Sequence, residues 1–116
     1  MRSDRERLDD ARAFIRHARA HLGAVDGQAF AGRPEAAHAV TYALVVIGEA
    51  LGQVSPDIKS LAPTVPWRAI KDVRNRLVHA YWTIDLPIIA GMVAQELDPL
   101  DEALGDLTRR IEAPDR

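Results

Sequence analysis

Pro34-Glu-Ala-Ala-His-Ala-Val-Thr-Tyr-Ala-Leu-Val-Val-Ile-Gly-Glu-Ala-Leu-Gly-Gln53 decides the fold. The stretch opens on a proline, which suits the first turn of a helix. Its apolar residues (Ala36, Ala37, Ala39, Val40, Ala43, Leu44, Val45, Val46, Ile47, Ala50, Leu51) fall on almost every side of that helix. Such a helix has to be covered on more than one side. The domain's own core can cover one side, and a second copy of the chain is the simplest cover for the other. Gly48 and Gly52, one turn apart, would let another helix approach closely.

Working towards the N-terminus, Ser3 and Glu6 form an S-x-x-E capping box. The helix it starts is expected to run to about Val25. Leu8, Ala11, Ile15, Ala18, Leu22 and Val25 recur at three and four residues and make one buried stripe. Gly23, Gly27 and Gly32 then loosen the chain.

Working towards the C-terminus, Val54 to Val65 carries Pro56 and Pro63 and reads as a connection holding one short turn of helix. Pro66 suits the first position of a third helix, Trp67 to about Ala80. Asp85 and Pro87 open a fourth, to about Leu97. Asp98-Pro99 with Asp101 and Glu102 signals the start of a fifth, which buries Leu100, Leu104, Leu107 and Ile111 and ends at Pro114. The expected fold is all-α: one domain over residues 1–116, an antiparallel bundle of about five helices with short connections, paired as a homodimer.

Composition agrees. The 116 residues are 47% apolar and hold only two Trp, two Tyr and two Phe, a mixture that favours packed helices over a sheet. Cysteine is absent, which excludes disulfides and Cys-based zinc sites and fits a cytoplasmic protein. There is no membrane span, and the acids Asp4, Glu6, Asp9 and Asp10 argue against an N-terminal presequence. The net charge of -2 disfavours a general nucleic-acid coat. A local basic patch does exist, with Arg68, Lys71, Arg74 and Arg76 against Asp72 alone.

Chemistry concentrates in Arg74-Asn-Arg-Leu-Val-His-Ala-Tyr81. Arginine neutralises a phosphate with a planar fork of donors, and histidine moves protons near neutral pH. On ideal helical geometry Trp67, Ile70, Leu77, Val78 and Tyr81 lie within about 60° of Arg74, in the middle of an apolar face. A cation there needs a partner, and Glu49 is the acid set within the apolar run of the second helix. One reading is a buried Arg74–Glu49 ion pair that only fixes helix packing. The other is an Arg74 facing a cleft or interface, oriented by Glu49 towards a phosphate; both can hold together. Asn75 and His79 share a face at i and i+4, so the amide can bond the imidazole, although a surface or capping histidine is the plainer reading. Arg74 and His79 are on different faces, so a joint site needs arginine's reach or two copies meeting.

The sequence resembles the HepT branch of the HEPN superfamily. Arg74-x4-His79-x-Tyr81 matches its R-x4-H-x-Y signature, and Ile47-Gly48-Glu49-Ala50 and Pro66-Trp67-Arg68-Ala69-Ile70 precede it in that branch's order and spacing. Val73 stands where many members have methionine. The resemblance covers about Leu8 to Ile111. It implies a small helical homodimer acting as the ribonuclease toxin of a toxin–antitoxin pair, with sites built from both copies and with no metal or other cofactor. His79 is then the general acid/base, Arg74 stabilises charge on the phosphate, and Asn75 orients the site; Glu49 supports it by the helix geometry above. The implied partners are RNA, as tRNA or mRNA, and an MntA-like nucleotidyltransferase antitoxin that adenylylates Tyr81.

Two further readings stand beside it. The chain can be a noncatalytic helical partner or substrate-binding module of a nucleotidyltransferase, or a structural dimer. His17 and His21 form H-x-x-x-H with no third metal ligand apparent. His38 and Tyr42 share a stripe with Glu49 and read equally as tolerated polar positions or as the border of an interface site.

Overall fold

Helix α1, Asp4–Leu22, begins at the capping box. The Ser3 amide donates to Glu6 Oε1 at 3.0 Å and the Glu6 amide donates to Ser3 Oγ at 3.1 Å, so two otherwise orphaned N–H groups are satisfied. The computed structural model describes residues 2–22 and 32–112. The expected continuation of α1 to Val25 therefore lies outside the described residues, as do Gly23, Gly27 and Pro114. The remaining helices are α2 (Pro34–Gly52), α3 (Pro56–Lys59), α4 (Trp67–His79) and α5 (Leu86–Glu112), with a 3-10 turn at Tyr81–Thr83 between the last two. No strand occurs among the described residues, so the all-α expectation holds.

The stripe Leu8, Ala11, Ile15, Ala18, Leu22 is buried as its spacing predicts. It packs on α2 and on α5. Ion pairs fix the direction of the second contact. Arg5 meets Glu112 at 2.6 Å, Arg12 meets Asp101 at 2.8 Å and Arg19 meets Asp98 at 3.0 Å. Ascending numbers on α1 meet descending numbers on α5, so the two helices are antiparallel. The hydrogen bond that Arg12 Nε–H donates to the Asp101 carboxylate raises the Arg12 pKa above its ordinary value.

Two expectations are corrected here. The separate fourth and fifth helices are one 27-residue helix with Pro99 inside it. An interior proline removes a hydrogen bond and costs about 3 kcal/mol. The offset comes from α1: Val93, Leu97, Leu104 and Leu107 continue one buried stripe straight past the proline, each contributing about 2 kcal/mol. Asp98 and Asp101, which read as a helix start, are instead partners of Arg19 and Arg12.

The second correction concerns α2. Its two covered sides are met by α1 and by α4 of the same chain, so its all-round apolarity requires no second copy. The two glycines also differ. A Cβ added at Gly48 would lie 2.4 Å from Arg74 Cβ, whereas one added at Gly52 would meet nothing within 4 Å.

The helices thus line up as α5, α1, α2, α4, each packed on the next. The seam between α4 and α5 stays open as an apolar groove of about 680 Å³, with Leu44 and Ile47 of α2 among its walls, Ile70 and Val73 on the α4 side and Ile88 and Met92 on the α5 side. No described helix is long and apolar enough to cross a membrane.

Candidate functional site

The site is built where α4 crosses α2. The connection before it is tied down at both ends. Ser55 donates to Asp4 of α1 through its amide (3.0 Å) and its hydroxyl (2.8 Å), and Trp67 Nε1–H donates to the Ala62 carbonyl at 3.1 Å. Pro66 is the residue before the helix, so α4 starts one position later than a first-turn proline would place it. With no side chain at Gly48, the stem of Arg74 lies directly on the α2 backbone.

That approach delivers the guanidinium to two oxygens. Arg74 Nη2 lies 2.7 Å from Glu49 Oε2, and Nη1–H donates to Asn75 Oδ1 at 3.0 Å. The side chains of Arg74 and Glu49 are 28% and 53% exposed. The pair anticipated from sequence therefore forms, but at a half-open edge rather than in the core. Arg74 Nε is buried and has no hydrogen-bond partner among the described residues. An unsatisfied buried donor costs about 1–3 kcal/mol, so the guanidinium must turn or gain an acceptor to be fully satisfied.

Asn75 makes its side-chain hydrogen bond with Arg74, its amide oxygen accepting from the guanidinium, and not with the imidazole. Adjacent residues on a helix can meet this way because the long arginine side chain folds back. His79 closes α4 and is exposed. No hydrogen bond or ion pair among the described residues joins it to Arg74 or Asn75. Tyr81 opens the 3-10 turn and is 69% exposed. One chain thus brings Glu49, Arg74 and Asn75 together, and leaves His79 and Tyr81 projecting from the same end of α4. Trp82, which the sequence reading passed over, is 72% exposed beside Tyr81. The signal was available as a second ring adjoining the motif in an aromatic-poor chain.

Residues 8–107 match the family described as Ribonuclease HepT-like. The chain belongs to the HepT-like family. Curated relatives agree with that membership. A Thermococcus cleftensis protein named "Probable ribonuclease HepT" is 37% identical over 62 residues, 53% of this chain and 56% of the relative. A Methanocaldococcus jannaschii protein that carries the name of an RNase is 32% identical over 73 residues, 63% of this chain and 67% of the relative. The HepT-like chain therefore spans between about half and two thirds of the length of these relatives. No solved structure matches it significantly.

His17 lies edge-on to Phe14 at 4.8 Å, and Phe14 in turn touches Tyr42 at 6.0 Å. His38, Tyr42 and Glu49 do share an exposed stripe of α2. Among the described residues no three His, Asp or Glu side chains are grouped as metal ligands.

Proposed function

We propose that this HepT-like chain is a metal-independent endoribonuclease toxin. RNA supplies its own nucleophile in the 2′-hydroxyl. In the proposed reaction His79 accepts the hydroxyl proton, the 2′-oxygen attacks the neighbouring phosphorus, and the bond to the 5′-oxygen breaks. A proton is returned to that leaving oxygen, giving a 2′,3′-cyclic phosphate and a 5′-hydroxyl. Arg74, held by Glu49 and Asn75, stabilises the charge that gathers on the phosphate oxygens.

The observation that carries this reading is the guanidinium of Arg74 paired with Glu49 and Asn75 at a half-open edge, one short helical stretch before an exposed histidine. Because the two side chains are not joined within one chain, the working site is assigned to a homodimer in which each copy completes the other. Tyr81, projecting from the same end of α4, is the proposed acceptor of AMP from an MntA-like nucleotidyltransferase antitoxin. Bulk and negative charge placed there would keep RNA from Arg74 and His79.

The test is cleavage of end-labelled tRNA and mRNA in EDTA by protein whose intact mass shows no AMP. Cleavage to cyclic-phosphate ends, lost in His79→Ala and Arg74→Ala, is the expected result. Failure of the unmodified protein to cleave either RNA would transfer the function to the second reading, a noncatalytic module that presents Tyr81 to a transferase. The exposure of that tyrosine is the observation favouring this alternative.

A further inference from the structure

Tyr81 and Trp82 are two of only six aromatic residues in the chain, and both lie open to solvent. Their rings meet edge to face, with centroids 5.5 Å apart and planes at 79°, so ring faces remain free. The turn beneath them is fixed. Thr83 donates to the Ala80 carbonyl through its amide (2.9 Å) and its hydroxyl (2.7 Å), and the Ile84 amide donates to the Tyr81 carbonyl at 3.1 Å. Large rings with few rotatable bonds on a fixed turn bind at low entropic cost.

The surroundings point to one kind of occupant. α4, which leads into the turn, exposes Arg68, Lys71 and Arg76 against Asp72 alone. The nearest acid beyond the turn, Asp85, is engaged at the start of α5, where Oδ1 accepts from the Ile88 amide at 3.1 Å. Open ring faces on a turn that follows a cation-rich helix suit unpaired nucleic acid, whose bases stack while its phosphates are neutralised. A duplex keeps its base faces inside and offers nothing to stack.

We propose that Trp82, steadied by Tyr81, is a stacking platform for an unpaired base of the RNA, so that the substrate class is single-stranded. The proposal rests on the ribonuclease reading and adds to it a specificity-determining residue.

Binding is measured in the His79→Ala background, which holds RNA without cutting it, using hexauridylate and a base-paired duplex as probes. Trp82→Ala is expected to weaken hexauridylate binding roughly ten- to a hundredfold. Trp82→Phe should recover most of that loss and Trp82→Leu should not. The salt dependence should be unchanged by Trp82→Ala, whereas Arg76→Ala should flatten its log–log slope by about 0.7. In the cleaving protein the same substitution should act mainly on KM. Circular dichroism checks that each variant folds, as the exposed position predicts.

Three outcomes overturn the platform while leaving the ribonuclease intact. They are wild-type cleavage and binding by Trp82→Ala, leucine serving as well as phenylalanine, and a changed light-scattering mass that marks Trp82 as a protein contact. A wild-type protein that neither binds nor cuts RNA removes both readings together.

Discussion

The α1–α5 seam and the α2–α4 seam both pair arginines with carboxylates, yet they are built for different ends. Along α1–α5 three pairs flank a continuous buried stripe, and the guanidinium of Arg12 lies against Gly105 with its carboxylate partner 2.8 Å away. Those arginines fix antiparallel register. Along α2–α4 a single pair sits at an edge, its arginine seated on a glycine, its Nε without a partner among the described residues and its carboxylate Glu49 exposed. The ion pair itself does not distinguish a structural arginine from a functional candidate. Its setting does.

The comparison breaks most sharply on activity. His79→Ala and Arg74→Ala should each lower the cleavage rate by about 10²–10⁴, while Arg12→Ala should leave it within about twofold of wild type, a bound set by the modest worth of partly exposed ion pairs. Comparable losses in all three, measured as kcat on the same RNA, would show that Arg74 too acts only through the fold.

The glycines give the next largest effect. Gly48→Ala drives a methyl into the Arg74 stem and should cost about 1–3 kcal/mol in urea unfolding, with reduced cleavage because the guanidinium is displaced. Gly52→Ala meets open space and should be neutral or stabilise by up to about 1 kcal/mol. Equal effects at the two positions would mean that α4 does not need its close approach.

A smaller change is expected from Arg12→Ala itself, about 1 kcal/mol by the same unfolding assay, because both partners are partly exposed. A loss well beyond that would place the seam's stability in its charges more than in its leucines.

The smallest effect tests the end of α1. Hydrogen bonds from the Ser3 amide and hydroxyl, and then the charge of Arg2, hold the Glu6 carboxyl below the usual carboxylate range. Its stabilising contribution is therefore present above the unfolded-state pKa, about 4.3, and is lost as pH falls through the lower folded value. Melting temperatures of wild type and Glu6→Gln should differ slightly at neutral pH and converge in strong acid. A gap that widens on acidification would reverse the sign and remove the capping box as its cause.

Much of this was legible in the residues. The capping box, the α1 stripe, the apolar α2 and the Arg74–Glu49 pair are consequences of local spacing or of a lone charge needing a partner. What was illegible is nonlocal. Asp98 and Asp101 carry the same signal whether they start a helix or neutralise Arg19 and Arg12 on another, so Pro99 read as a boundary. The second face of α2 was assigned to another copy because nothing in the sequence says that α4 folds back onto it. Asn75 sits at the right spacing for His79, and only the fold shows that Arg74 claims its oxygen first.

The open seam beside α4 has a consequence for the order in which the molecule comes apart. α4 has α2 as its principal neighbour and Leu77 as its single buried residue, while α1, α2 and α5 share the continuous core. A segment so lightly tethered opens at a lower free energy than the whole domain. Its amides should exchange with deuterium ahead of those in the other long helices, making the helix that carries Arg74 and His79 the last to dock in folding and the first to be released.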